Sequence, residues 1–321
     1  MTTDAVASPP PQFRRVAMIG IGLINGSLAK VLKRDGLADE IVACSRREET
    51  LSRARNLGIA DRTTTDPAEA VIGADLVVIG TPTGSTGAIA KAITSTLNRQ
   101  AIITDVGSIK AKVIDDVLPH LPFRGRFVPG HPIAGTENSG PDAAFDTLFV
   151  NRHCILTPLA ETDPDALSTV KALWQAAGSH VSVMTADHHD RVLGITSHLP
   201  HLIAFTIVST VADLEEHLQA EVLRYSAGGF ADFTRIAGSD PVMWRDIFLH
   251  NKEAVLEMLG RFSEDLSVLQ RAIRWDDGDT LEALFTRTRA IRRGVGAANA
   301  IDATNAIGAA NAVNDRKQDG G

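Results

Sequence analysis

Gly20-Ile21-Gly22-Leu23-Ile24-Asn25-Gly26-Ser27 follows the apolar run Val16-Ala17-Met18-Ile19 and opens a segment with helical spacing. A strand that turns on glycines directly into a helix leaves few choices of fold. Gly20 allows a tight turn. Gly22 lets a ligand approach the backbone, and the unpaired N–H groups of the helix start face an anion. This is the opening of a βαβ unit that cradles a dinucleotide pyrophosphate, with Leu23 and Ile24 on the cradle's wall. The third glycine of the usual spacing is replaced by Asn25, with Gly26 one residue later, so a glycine-rich turn of another α/β protein stays open on this pattern alone.

The chain beyond that loop extends the reading. From Phe13 to Val183, β-branched runs such as Glu40–Ala43, Leu76–Ile79, Ala101–Thr104, Arg126–Val128, Cys154–Leu156 and His180–Val183 alternate with helical segments. Such alternation predicts a largely parallel sheet with helices on both faces. After Thr185 the strand signals stop, and segments 186–211, 213–226, 241–273 and 278–293 read as helices. The fold class is therefore an α/β Rossmann-type dinucleotide-binding domain followed by an all-α domain. The division runs as a flexible tail over 1–12, the dinucleotide-binding domain over 13–183, a helical substrate and dimerisation domain over 184–295, and an Ala/Asn-rich, disordered tail over 296–321. Helix packing across a homodimer would bury the many apolar positions of the helical part.

The 321 residues carry a net charge of −7 with scattered basic residues, which argues against nucleic acid and anionic membrane as partners. No uninterrupted apolar stretch is read as long enough to span a bilayer, and no signal peptide is recognised. Cys44 and Cys154 sit in apolar runs and read as buried free thiols, which suits a cytoplasmic protein.

Ligands of doubly wound sheets bind outside the carboxyl ends of the strands, so residues just after each run are the candidates. Cys44 is followed by Ser45, Arg46 and Arg47, where an acid for the ribose hydroxyls would be usual. Guanidinium and hydroxyl groups there suit a 2′-phosphate, which favours NADP over NAD; a solvated arginine pair is the alternative. Thr81 and Pro82 follow Gly80. Ser108 and Lys110 follow Asp105, placed beside nicotinamide and substrate, or for Lys110 on the surface at a helix start. His131, in Gly130-His131-Pro132, can take a proton near neutral pH. His188 and His189 beside Asp187 and Asp190 lack zinc spacing and read as a solvated helix start; no metal is expected. Trp244 reads as core or interface rather than as a stacking platform.

The ordered set Gly20–Ile24, Asp105–Lys110, Gly130–Glu137, Ser197-His198-Leu199-Pro200-His201, Gly229–Ala237 and Asp240–Asp246 resembles the prephenate/arogenate dehydrogenase family over residues 14–275. The resemblance implies oxidative decarboxylation of a cyclohexadienol, prephenate or arogenate, with an NAD(P) cofactor. It implies His131 as the catalytic histidine and Ser108 as the serine that holds that histidine and the substrate hydroxyl. Arg235 would bind a substrate carboxylate, and Ser197 and His201, with Thr136 and Glu137, would line the pocket. Asp190 would join Glu137 and Arg235 in an ionic gate. Asp232, three residues before Arg235, could instead pair with it along the helix, and His198 lies off the Ser197/His201 face as a packing residue. Two other readings are weighed. A β-hydroxyacid dehydrogenase would need a catalytic lysine in the helical part, where Lys252 has no such motif. A non-catalytic nucleotide-sensing protein would need the glycine loop without His131, Ser108, His201 and Arg235.

Overall fold

A computed structural model describes residues 10–214, 221, 224 and 228–294. Both tails, apart from residues 10–12, and most of the segment 213–226 lie outside the described residues.

Six parallel strands form the main sheet: β1 (Phe13–Ile19), β2 (Ala38–Cys44), β3 (Arg62–Thr64), β4 (Leu76–Ile79), β5 (Ile102–Asp105) and β6 (Phe127–Val128), in the order β3-β2-β1-β4-β5-β6. The order reverses between β1 and β4, which opens the crevice that dinucleotides occupy in this topology. Val16, Met18, Val77, Val78 and Ile103 are wholly buried, because both sheet faces are covered by helices. Covering helices include α1 (Leu23–Arg34), α2 (Glu48–Asn56), α4 (Thr86–Ile93), α5 (Ala111–Val117) and α6 (Pro164–Ala176), with a single turn α3 (Pro67–Ala70).

Two of the predicted strands belong to another sheet, together with a third strand that the sequence reading does not contain. Pro129 lacks an N–H and ends β6, and the chain crosses to β7 (Gly130–Pro132), which pairs antiparallel with β8 (His153–Leu156). Parallel to β8 runs β9 (His180–Val183). The edge strand β3, polar and only three residues long, is absent from the sequence reading for want of any apolar signal.

Helices follow from Ala186: α7 (Ala186–Leu193), a π-helical turn at Gly194–His198, and α8 (Leu199–Ala212). The π-turn adjoins Pro200, which has no N–H to continue an α ladder. By length and composition this run from Ala186 to Ala212 could cross a membrane, which the sequence reading missed. Such a test is weak here, because its first half carries buried His189, Asp190 and His198 hydrogen-bonded within the protein. Helices at Gly228–Thr234, Pro241–His250, Lys252–Arg274 and 278–294 complete the described chain. The predicted single helix over 241–273 breaks at Asn251, whose side chain is turned into the core. Two compact units divide the chain, Met1–Leu256 and Glu257–Gly321. Every site residue described below lies in the first.

Candidate active site

At the end of β1, Gly20 adopts φ +86°, and a Cβ there would stand 2.6 Å from the Gly80 carbonyl oxygen. Only glycine fits this turn. Gly22 caps α1 with no side-chain hydrogen bond, and no acidic residue stands in the first turn. Nothing lies within 4 Å of where a Gly22 Cβ would be. Open space at an uncapped helix N-terminus fits a pyrophosphate. The Thr81 hydroxyl, buried just past β4 without a partner, is a further polar atom free for a cofactor. Leu23 is buried and Ile24 half-buried beside the loop.

Asn25 explains the departure from the usual glycine spacing. Its Nδ2 donates to the carbonyls of Gly20 at 2.8 Å and Val78 at 3.2 Å. Gly80 supplies the space, since a Cβ there would meet Asn25 at 2.5 Å. Side-chain hydrogen bonds thus close the turn, and the missing side chain has moved to the neighbouring strand.

Across the crevice, Asp105 at the tip of β5 collects buried donors. Gly107 N–H donates to it at 2.8 Å, Gly130 N–H at 3.1 Å, and the Lys110 ammonium pairs with it directly. Lys110 also donates to the Gly130 carbonyl at 2.6 Å. Both side chains are 0% exposed, so Lys110 is neither a surface residue nor a substrate contact. It ties the β5–α5 loop to the strand that carries His131.

His131 is buried, and its Nδ1 lies 2.8 Å from His189 Nε2. His189 Nδ1 in turn lies 2.7 Å from Asp190 Oδ1. Lys110 N–H and Ala111 N–H, at the start of α5, donate to the two oxygens of Asp190 at 2.8 and 2.9 Å. Burial holds His131 well below its usual pKa, helped by the nearby His189 and the Lys110 cation. His189 is also held down, mainly by burial, with Asp190 pulling the other way.

Three expectations change here. His189 is fully buried and not solvated, whereas its neighbour His188 is exposed, because adjacent residues on a helix face apart. Asp190 does not join an ionic gate, because it is buried as the cap of α5. Ser108, half-buried on the β5–α5 loop, makes no hydrogen bond to His131; the bond that fixes the ring comes from His189. An alternating hydrophobic pattern carries no signal for such a pairing.

His201 Nδ1 donates to the Ser197 carbonyl at 2.9 Å, and its ring stacks on Trp244 with centroids 3.6 Å apart. Trp244 is a core residue, as the sequence suggests, buried in a cluster with Ile109 and Ile247, and it packs the His201 ring from that core. Burial, with Arg235 nearby, keeps His201 below its usual pKa. His198 is buried between Trp244 and Asn251, and burial pushes it down to about 4. Asn251 also donates to the Asp190 carbonyl at 2.9 Å, which explains the helix break. Arg235, 60% exposed, pairs with Glu137 at 3.5 Å and leaves Asp232 aside. Thr136 closes a local turn in the same loop by accepting from Asn138 N–H. Ser45, Arg46 and Arg47 stand after β2, both arginines exposed.

An uncapped glycine turn at the switch point of a 3-2-1-4-5-6 sheet, with a buried histidine across the crevice and helices carrying an arginine beyond it, defines a nicotinamide-dependent dehydrogenase with a helical second part. Residues 28–183 match the family model for the prephenate dehydrogenase nucleotide-binding domain, and residues 185–287 that for the prephenate dehydrogenase dimerization domain. The chain belongs to the prephenate dehydrogenase family. It is an oxidoreductase of the prephenate/arogenate (cyclohexadienyl) type, with an N-terminal nucleotide-binding domain and a helical dimerization domain. Cyclohexadienyl dehydrogenase of Zymomonas mobilis is 40% identical over 280 residues, 87% of this chain and 95% of the relative. The crystal structure of Aquifex aeolicus prephenate dehydrogenase in complex with hydroxyphenyl propionate and NAD+ superimposes with a TM-score of 0.82 at 37% identity, covering 88% of this chain and 98% of that one. Synechocystis arogenate dehydrogenase has a TM-score of 0.73 at 27% identity, over 87% and 98% of the two chains.

Proposed function

We propose that His131 is the general base for oxidation of the cyclohexadienol carbinol. The observation that carries this reading is a buried imidazole beside the dinucleotide crevice, whose burial lowers its pKa and so favours the neutral, proton-accepting form. Bound nicotinamide supplies the hydride acceptor. As the hydride leaves the ring carbon, the hydroxyl proton passes to His131, and carbonyl character develops at that carbon. Departure of carbon dioxide then sends the C–C electron pair through the ring to the carbonyl oxygen, leaving an aromatic phenolate that regains the proton held by His131, so no strong acid is needed. Ser108 orients the substrate hydroxyl, a positioning role. Ser197, His201 and Thr136 line the pocket. Arg235 exchanges Glu137 for a substrate carboxylate, which its planar fork suits. His131→Asn is expected to lower kcat by at least ~100-fold with little change in substrate KM; steady-state kinetics with prephenate and arogenate check this, and near-normal turnover would remove His131 from the mechanism.

The cofactor grip is formed by Gly20, Gly22, Leu23, Ile24, Thr81 and Pro82. Ser45, Arg46 and Arg47 add contacts for a 2′-phosphate, so NADP is favoured over NAD; comparing kcat/KM for the two cofactors tests this, and a preference for NAD would sink it. A functional boundary at 183/184, with the helical domain running over 184–295, is supported by where the two family matches abut. A homodimer is supported by apolar side chains exposed on the helices, among them Val208, Phe233, Val242 and Leu249. A cytoplasmic location is supported by the buried thiols of Cys44 and Cys154.

A further inference from the structure

We propose that His189, anchored by Asp190, is a positioning residue that fixes His131 as its Nδ1–H tautomer and thereby makes Nε2 the proton-accepting atom. The proposal rests on the reading of His131 as the base. It follows from counting donors along a buried chain. Asp190 already accepts from two backbone N–H groups of α5, and a carboxylate can only accept. The His189 nitrogen facing it, Nδ1, must therefore carry hydrogen. A neutral His189 then has a lone pair on Nε2, and the group opposite, His131 Nδ1, must donate. That leaves a single basic atom on the His131 ring. The reverse arrangement would set lone pair against lone pair in a dry site, with nothing to relieve it. Burial supports a neutral His189 by holding its pKa below the usual value.

The same chain serves the step itself. When His131 Nε2 takes the hydroxyl proton, the ring becomes a buried cation. Its Nδ1–H remains donated to His189, whose other face is held by the Asp190 carboxylate, so the new charge meets an oriented dipole and then an anion. No proton is lost from the count: one leaves the substrate oxygen and one arrives at Nε2. The geometry parallels the serine-protease triad, in which an acid holds a histidine in its working tautomer, with an imidazole interposed here.

Two replacements separate this role from mere packing. In His189→Asn the amide takes the place of Nδ1 and can keep the bond to Asp190, but nothing accepts from His131. In His189→Gln the amide oxygen reaches the place of Nε2 and can accept from His131. Losing the tautomer lock is expected to cost ~100-fold or more in kcat in His189→Asn, with substrate KM and cofactor Kd nearly unchanged. His189→Gln should recover at least ~10-fold of that loss, since positioning and not proton uptake by His189 is what it restores. Nitrogen-15 NMR of the wild-type enzyme labelled at histidine, assigned by loss of the signal in His131→Asn, should show His131 protonated at Nδ1 at neutral pH, and this holds as a test even if both variants fail to fold. Full kcat in His189→Asn, Gln no better than Asn, or an Nε2–H ring on His131 would each overturn the proposal. Should His131→Asn abolish turnover while His189→Asn does not, only this inference fails. If neither lowers turnover, the assignment of the base fails with it.

Discussion

The two halves of the crevice are built by opposite means. On one side, Gly20 to Ser27 makes a binding loop from consecutive residues, and the atoms offered to a ligand are backbone N–H groups. On the other, Asp105, Lys110, His131, His189, Asp190, His198 and Asn251 come from separate segments, and every bond that joins them uses at least one side chain. A backbone-built site tolerates change where no side chain is needed and fails where glycine is required. A side-chain-built site fails wherever one partner is removed, because the others are left buried and unpaired.

That contrast can be broken most severely at Lys110. Lys110→Met leaves the Asp105 carboxylate buried without its cation and should destabilise folding by about 3–5 kcal/mol. Denaturant unfolding measures this. Adding Asp105→Leu should recover only part of the loss, because Asp105 also accepts from Gly107 and Gly130. A neutral single variant would show that the backbone donors alone satisfy the carboxylate.

On the other side of the crevice, Gly20→Ala should cost about 1–3 kcal/mol in stability, through a strained positive φ and a clash with the Gly80 carbonyl. Cofactor Kd should rise with it. Gly22→Ala meets no protein atom within 4 Å, so its stability should hold while cofactor binding weakens. Equal stability losses in the two variants would contradict the cradle as described.

Arg235 sharpens the comparison, since it is exposed and its ion pair with Glu137 adds at most about 1 kcal/mol to folding. Arg235→Gln should therefore leave the melting temperature almost unchanged. Substrate KM should rise about tenfold or more, the loss of one charge-assisted hydrogen bond of about 1.5–3 kcal/mol, with kcat less affected. Arg235→Lys should be intermediate, because it keeps the charge without the fork. Unchanged KM in both would send the search for the carboxylate site elsewhere.

The smallest effect is on pH dependence. His131, His189 and His198 are all held below 6.5 in the folded protein, chiefly by burial. As pH falls through 6.5 the unfolded chain binds protons that the folded one does not, so stability is full above that pH and declines below it. The decline continues toward about 4, where His198 itself takes up a proton. Urea midpoints between neutral pH and pH 5 should fall, and less steeply in His198→Asn. A midpoint slope unaffected by that substitution would show that His198 does not contribute.

Much of this molecule is written locally. The glycine loop, the strands β1, β2, β4 and β5, and the change to helices after Thr185 follow from spacing within short windows, because hydrophobic period and turn chemistry act over a few residues. The roles proposed for His131 and Arg235 rest on the ordered motifs that resemble the family. Tertiary structure alone decided the rest. Asn25 acts by hydrogen bonds to strands it does not adjoin in sequence. His189 sits beside His188 with the same composition around it, yet one is buried against His131 and the other faces water. Asn251 breaks a helix that its neighbours would continue, because its amide satisfies buried atoms of another segment. In each case the deciding energy is that of a buried polar group finding or missing a partner far along the chain, and no local pattern records where that partner will be.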